Sequence, residues 1–551
     1  MTGELEPVRG ELVASPGPLR APVGQEASPE AVKPRLTLRE RRQVLALFLA
    51  VLIVSLCAIV YQLQIAAISS YLLGNSVQQF SFTIGLFMFA LGLGSWISKL
   101  VHERLLERLL LLELLLALAG GATSYVLFTF YAVTKAYYAS MIVTTITVGT
   151  LVGLEIPLLA RLAHRFASLR VALAEVLTWD YVGALIGAVL FPLLLLPTLG
   201  LLPTAPAVGL LNVIVCAVLL AAFWQELERP KLWAALSIVV AAVLTAGLTL
   251  AQTASSAIDK RLYLDEVLLV KQTPYQRVVV TKWNRDTRLF LNGHLQFSST
   301  DEHRYHEALV HPAMSTSVSR EHVLILGGGD GLAVREVLKY PDVKRIVLVD
   351  IDPAVTELAK TFPPLVRQND NALADPRVLV VHQDAFQYLA DRPSTEERFG
   401  VVLSDLPDPT NESLSKLYSV EFYRLVRQHL AHGGTLAVQS TSPFFARDAY
   451  WCIAATLRAA AFATRGYHTY IPSFGDWGFH LATATDVRAP HTPRWPEALT
   501  VKTKYLNADV LRAALAFGGD AEQVQNPRVN SLQQPLLQGL YHAGWSRWTV
   551  P

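Results

Sequence analysis

Five aspartates stand where alternating strands and helices would bring them to one edge. Asp330 follows the apolar run 323–326 and three glycines, Asp350 closes 345–350, and Asp384 follows 378–381. Asp405 and Asp408 follow the run 400–404. If these runs are parallel strands, each acid lies at a carboxyl end, where such sheets take their ligands. Carboxylates gathered on one rim repel phosphate and attract ammonium or sulfonium groups. Asp350, twenty residues after Asp330, is also placed to accept hydrogen bonds from both hydroxyls of a ribose. Any one of these acids could be only a helix N-cap, Asp384 in particular.

The elements that must position them are legible. The run His322–Leu326 opens into Gly327-Gly328-Gly329-Asp330-Gly331 and then into an amphipathic helix over 332–338. Glycines let backbone approach a ligand that a Cβ would block, and the helix start offers unpaired N–H groups. Strands at 323–326, 345–350, 378–381, 400–404 and 435–440 alternate with helical stretches, which predicts a doubly wound α/β sheet. Ahead of it, 267–280 and 287–295 alternate like a small antiparallel sheet, followed by a helix over 302–314. The order strand, glycine loop, helix, strand and terminal acid points to an adenosine-containing ligand.

Half the chain has a different character. Hydrophobic residues make up 52% of its 551 residues and charged ones only 17%. Seven apolar segments, near 44–68, 79–98, 109–132, 137–160, 171–197, 206–224 and 232–253, are each about the 20 residues a bilayer-crossing helix needs. Basic residues follow the second span (Lys99, Arg104, Arg108), the fourth (Arg161, Arg165, Arg170) and the sixth (Arg229, Lys231), while the other loops carry little but Lys135. That bias predicts a cytoplasmic N-terminus, and an odd number of spans then leaves the C-terminal half on the other face. Within the spans, Glu113 and Glu175 are expected near headgroups and Glu155 and Asp180 in helix packing, or the four could pair with a cationic solute or with each other. Gly85, Gly92 and Gly94 suit close helix contact.

The predicted divisions are a tail over 1–43, basic at its end (Lys33, Arg35, Arg39, Arg41, Arg42), a helical membrane domain over 44–253, and a small β-sheet over 254–300. A Rossmann-like domain of methyltransferase type follows over 301–488, then an extension over 489–551 without assignable chemistry. The first apolar run begins too far in for a cleavable signal. A net charge of +2 without basic–aromatic runs argues against nucleic acid. Cys57, Cys216 and Cys452 have neither disulfide nor metal-ligand spacing.

GGGDG followed by Arg335-Glu336-Val337-Leu338, with Val349-Asp350-Ile351-Asp352-Pro353 after it, resembles the polyamine aminopropyltransferase family, of which spermidine synthase is the best-known member. The resemblance runs from about 264 to 485, and the combination with spans resembles a bacterial membrane-attached branch. It implies transfer of an aminopropyl group from decarboxylated S-adenosylmethionine to an amine, putrescine by default. It implies no metal, no covalent intermediate and no cofactor beyond that co-substrate. On the donor side it implies Asp350 at the ribose, Asp384 at the adenine and Asp330 at the aminopropyl amine. Leu291–Gln296, Tyr305-His306-Glu307 and Tyr275-Gln276 resemble further family words and add Gln296, His306 and Gln276. Asp405 would be the catalytic acid with Tyr305 beside it, and Asp408 would meet the acceptor. A lipid bilayer and a homo-oligomer are the other implied associations.

Departures fall on the acceptor side. In Ile471–Trp477, Phe474 replaces a family Tyr, with Asp476 two residues on. Asn292 replaces an Asp, and Thr410–Leu414 differs from the family's insert. Two other readings compete. A methyltransferase would share the sheet, but Asp330 would clash with the carboxylate of S-adenosylmethionine. A polyamine transporter or sensor with a binding-only soluble half would not need Asp405.

Overall fold

The computed structural model describes residues 37–73, 76–134, 136–263, 265–393, 398–485 and 492–548, with backbone alone at 76, 252 and 254–262. Most of the tail, with Lys33 and Arg35, and also Lys135 lie outside these residues.

Seven helical segments are long and apolar enough to cross a membrane: Leu38–Leu73, Val77–Leu100, Leu105–Val133, Tyr137–Ala163, Leu169–Leu199, Leu201–Glu226 and Pro230–Ala251. The last helix continues to Tyr263, ten residues past the expected end at 253. Its continuation delivers the chain to the small sheet. The basic loops converge at one end of the bundle. There Arg39 and Arg165 reach Glu226 at 3.6 and 3.5 Å, Arg104 reaches Glu228 at 2.9 Å, and Arg161 caps the carbonyls of Ser98 and Val101. The other end meets the sheet-containing half, where the Arg277 guanidinium donates to the Tyr71 hydroxyl at 3.0 Å.

Two expectations for the spans fail. Gly94 abuts the helix Tyr137–Ala163, but Gly85 and Gly92 touch nothing, because their faces point outward. Glu113 is fully buried rather than near a headgroup, since the third helix turns that face to its neighbours; Glu175 is exposed. Asp180 accepts a hydrogen bond from Ser55.

After the helices, strands β1 (Glu266–Gln272), β2 (Arg277–Trp283), β3 (Asp286–Leu291) and β4 (His294–Ser298) form an antiparallel meander. The turn between β3 and β4 is Asn292-Gly293, both with positive φ, the favoured two-residue hairpin pair. Asn292 also accepts the backbone N–H of Arg277 at 2.9 Å, which accounts for an Asn there without invoking substrate.

The second sheet holds β5 (His322–Gly327), β6 (Arg345–Asp350), β7 (Val378–His382), β8 (Phe399–Asp405), β9 (Leu430–Gln439), β10 (Phe462–Ile471) and β11 (Gly475–Ala484). Its order is β10-β11-β9-β8-β5-β6-β7, parallel from β9 to β7, with an antiparallel hairpin at the far edge. Successive residues of β5 enter different cores. Leu324 and Leu326 join the cluster on one face, and Val323 and Ile325 the cluster on the other. That is why the run is apolar throughout rather than alternating. The strand order reverses beside β5, and the crevice opened there is where this architecture binds ligands.

The extension folds onto this domain. It contains the helix Ala508–Ala513, shorter than the expected 507–516, and a second helix, Leu537–Trp545, that periodicity did not reveal.

Candidate active site

The glycine loop fits the acids on either side of it. Gly327 pairs with Asp405 across parallel strands and has φ +80°, and a Cβ there would strike the Asp405 carbonyl. A Cβ on Gly329 would strike the Asp350 carboxylate, which instead accepts the Gly329 N–H at 3.0 Å. The other Asp350 oxygen accepts the Asp352 N–H at 2.8 Å. Burial outweighs these bonds and, with Asp352 and Asp330 nearby, pushes the Asp350 carboxyl up to about 6.

Asp330 accepts the Leu332 N–H at 2.9 Å. Burial and the charge of Asp405 push it up to about 6, against the pull of a cationic His306. The helix Glu302–Thr316 brings Tyr305 and His306 to the same place. The Tyr305 hydroxyl donates to Asp405 at 2.6 Å. Burial raises the Asp405 carboxyl, while His306 and the Tyr305 bond draw it down. Burial and Asp405 raise the Tyr305 phenol well above its usual range, so it stays a proton donor.

His306 is buried, and burial favours its neutral form, but Glu302 prevails. Its Nδ1 lies 2.9 Å from the Glu302 carboxylate, and the imidazole is raised to about 9. Glu302 is in turn gripped by Arg335 through two bonds of 2.9 Å. A buried, cationic imidazole held by this network therefore faces Asp330 and Asp405.

Asp408 forms the other wall. Burial pushes its carboxyl up to about 6, although Gln439 donates to it at 3.2 Å and the nearby Tyr541 hydroxyl also draws it down. Tyr541 comes from the helix Leu537–Trp545 of the extension, and its neighbour Trp545 stacks on Phe445 at 4.8 Å. No motif marks Tyr541; its only signal was an aromatic-rich end after a polar loop. Gln439 was equally silent, as the last residue of an apolar strand.

A family profile described as the spermine/spermidine synthase domain matches residues 302–491. Polyamine aminopropyltransferase of Oceanobacillus iheyensis is 42% identical over 505 residues, 90% of this chain and 96% of that one. Polyamine aminopropyltransferase 1 of Ralstonia nicotianae is 43% identical over 525 residues, 93% of this chain and 97% of that one. The chain belongs to the polyamine aminopropyltransferase family. Alignments of that length take in the seven helices as well as the catalytic half. A solved spermidine synthase from Thermotoga maritima aligns over 46% of this chain and 85% of its own, at 25% identity and a TM-score of 0.41.

The remaining residues that the aminopropyltransferase motifs nominated are distributed unevenly. Gln276 donates to Asp352 at 3.0 Å, which ties the small sheet to the loop after Asp350. Gln296 is partly exposed and donates to the carbonyl of His294 on its own strand. Asp384 caps the helix Ala385–Asp391 and pairs with Lys416 at 2.8 Å. Burial works to raise it, but Lys416 and the two helix N–H groups hold it below the usual carboxylate range. Phe474 faces Tyr305 with ring centroids 6.2 Å apart and closes an apolar wall with Trp477. Asp476 is not brought to this group. The pleat puts it on the opposite face from Trp477 and Phe479, and His468 holds its carboxylate at 2.6 Å. Glu307 of the Tyr-His-Glu word binds three backbone N–H groups of the extension, at Lys504, Tyr505 and Leu506.

Proposed function

We propose that the chain transfers an aminopropyl group from decarboxylated S-adenosylmethionine to a primary amine, putrescine by default, yielding spermidine and 5′-methylthioadenosine. The observation that carries this reading is the Tyr305–Asp405 hydrogen bond, set among acids beside the glycine loop. The amine nitrogen attacks the propyl carbon on the sulfonium. The C–N bond forms, the C–S bond breaks with its electrons going to sulfur, and a neutral thioether leaves. The obstacle is the nucleophile, because an alkylammonium with a pKa of about 10 has no lone pair at neutral pH. Asp405 takes that proton, with Tyr305 fixing the carboxylate in line.

Asp350 serves the ribose, with Gln276 bracing its loop through Asp352. Asp330 serves the donor's amine, and there it selects the decarboxylated donor, since the carboxylate of S-adenosylmethionine would meet a like charge. Asp408 takes the far ammonium of the acceptor, with Phe474 and Trp477 along its methylenes. Asp384 acts at the adenine while its other oxygen holds Lys416. His306 keeps the neighbouring acids ionised. No metal or resident cofactor enters the scheme.

The helical half is read as a multi-pass domain of the cell membrane, with a cytoplasmic N-terminus. Its outward residues support that reading: Phe82, Phe89, Leu193 and Ile238 are 54%, 66%, 74% and 70% exposed. Side chains so disposed suit lipid and would drive association in water.

The test is release of methylthioadenosine by detergent-purified protein given decarboxylated S-adenosylmethionine, with and without putrescine, beside Asp405→Asn. Amine-dependent release lost in the variant supports the scheme. No release with any diamine, despite donor binding, overturns it.

A further inference from the structure

The helical half contains polar side chains that the transferase chemistry does not use. Glu113, Glu155, Asn212 and Tyr61 are each fully buried. Both carboxylate oxygens of each Glu, both polar atoms of Asn212 and the Tyr61 hydroxyl have no hydrogen-bond partner in the protein. Buried polar atoms are ordinarily satisfied, so seven orphaned atoms on four neighbouring helices require an explanation.

They converge. The Glu113 and Glu155 carboxyls lie within electrostatic reach of each other, and the Tyr61 hydroxyl within reach of both. The third and sixth helices touch at Gly209, where a Cβ would lie 2.7 Å from the Ala117 carbonyl. These helices run in opposite directions, so one turn from that contact Asn212 stands level with Glu113. On the first helix, the Tyr61 ring packs on Gly120 and the Cys57 thiol contacts the Val208 carbonyl. Glu113 is the ninth residue of Leu105–Val133 and Glu155 the ninth from the end of Tyr137–Ala163, so both lie at one depth, about 12 Å from the basic end.

No basic side chain balances them. Residues 43–98, 109–134, 136–160 and 201–228 contain neither Lys nor Arg. Two carboxylates at low dielectric cannot both stay ionised without a cation. Protons alone would leave the Asn212 amide and the Tyr61 phenol unsatisfied. Among the described residues, no three His, Cys, Asp or Glu side chains group in a way that could hold a metal ion. A cation that carries several N–H donors fits, because one such group can donate to several of the orphaned oxygens at once.

We propose that the first, third, fourth and sixth apolar helices form a second binding site, which takes an alkylammonium cation of the polyamine class between Glu113 and Glu155. The site is distinct from the acceptor wall at Asp408.

Equilibrium dialysis of the full chain in detergent with radiolabelled spermidine, without donor, tests this. The expected result is two equivalents for the unaltered protein. Glu113→Gln/Glu155→Gln should retain one equivalent, with methylthioadenosine release unchanged within about twofold, and Asp408→Asn should lose the other. Should the double variant fail to fold, Tyr61→Phe and Asn212→Leu should each weaken the second equivalent at least about fivefold. A single equivalent lost in Asp408→Asn, or two equivalents indifferent to all the helical variants, overturns the proposal. A chain that releases no methylthioadenosine yet keeps a Glu113-dependent equivalent upholds this site and retires the transferase scheme alone.

Discussion

The hydroxyl of Tyr305 donates to the carboxylate of Asp405 at 2.6 Å, and a second aromatic ring, Phe479, packs 5.3 Å behind it. A phenol fixed in this way leaves one face of the carboxylate for an incoming amine. Asp405→Asn should lower kcat by about 10²- to 10⁴-fold, the range for a lost general base, with donor affinity within about threefold. Tyr305→Phe should cost about tenfold in kcat. Single-turnover kinetics with a separate donor-binding measurement would separate the two effects.

Tyr541 should matter to the acceptor and not to the donor. Its hydroxyl lies beside the Asp408 carboxylate, and a hydrogen bond to a charged group contributes roughly 1.5–3 kcal/mol. Tyr541→Phe should raise the KM for the diamine about tenfold or more and leave the donor KM unchanged. Equal changes in both would mean that the helix Leu537–Trp545 only braces the fold.

Activity should fall on the acid side. Asp330, Asp350 and Asp408 are each pushed up to about 6 by burial. Below that pH they take up protons and lose their attraction for cationic substrates. The pH profile of kcat/KM should therefore drop from about pH 6, with a limiting slope steeper than one. Stability has the opposite sign. A carboxyl raised in the folded state favours folding below its unfolded value and loses that contribution as pH rises through about 6. Asp330→Asn should therefore melt a few degrees higher than the parent at pH 8 without substrate, and no higher at pH 5.

The network that holds His306 should be costly to break from one side. Arg335→Met leaves Glu302 buried with His306 as its remaining cationic partner and removes a partner of Glu336, at 3.0 Å in the parent. Loss of one member of a buried ionic network costs about 3–5 kcal/mol. Chemical denaturation of the variant should show a loss of that order.

If all seven helices cross with the basic loops inside, the catalytic half is set on the outer face. Cys57, Cys216 and Cys452 are all buried, so native thiols cannot report on this and an introduced one is needed. In intact cells, Lys360→Cys should react with an impermeant maleimide and Glu103→Cys should not. The reverse pattern would show that one apolar segment does not cross.

The sequence was most informative where backbone geometry constrains residue type. Gly327 and Gly329 are forced by the acids beside them, and β5 had to be apolar on both faces. Asp350 and Asp405 were therefore legible from position alone. Local patterns failed where a partner arrives from a distant segment. Tyr541 reaches Asp408 by tertiary docking, Lys416 occupies Asp384 from another loop, and the pleat turns Asp476 away although it lies next to Trp477. Helical periodicity was equally blind to the meeting of Glu113 with Glu155, because it reports which face an acid occupies and not what stands opposite.

The first helix runs unbroken for 36 residues, about 54 Å, against a hydrocarbon layer of about 30 Å. Its surplus acts as a shaft. Cys57 and Tyr61 ride on it inside the bundle, and about three to four turns on, Tyr71 is bonded to Arg277, the residue after Gln276. Severing the halves would not yield a smaller, soluble version of the same enzyme, because it would take away the strut on which its first sheet is mounted.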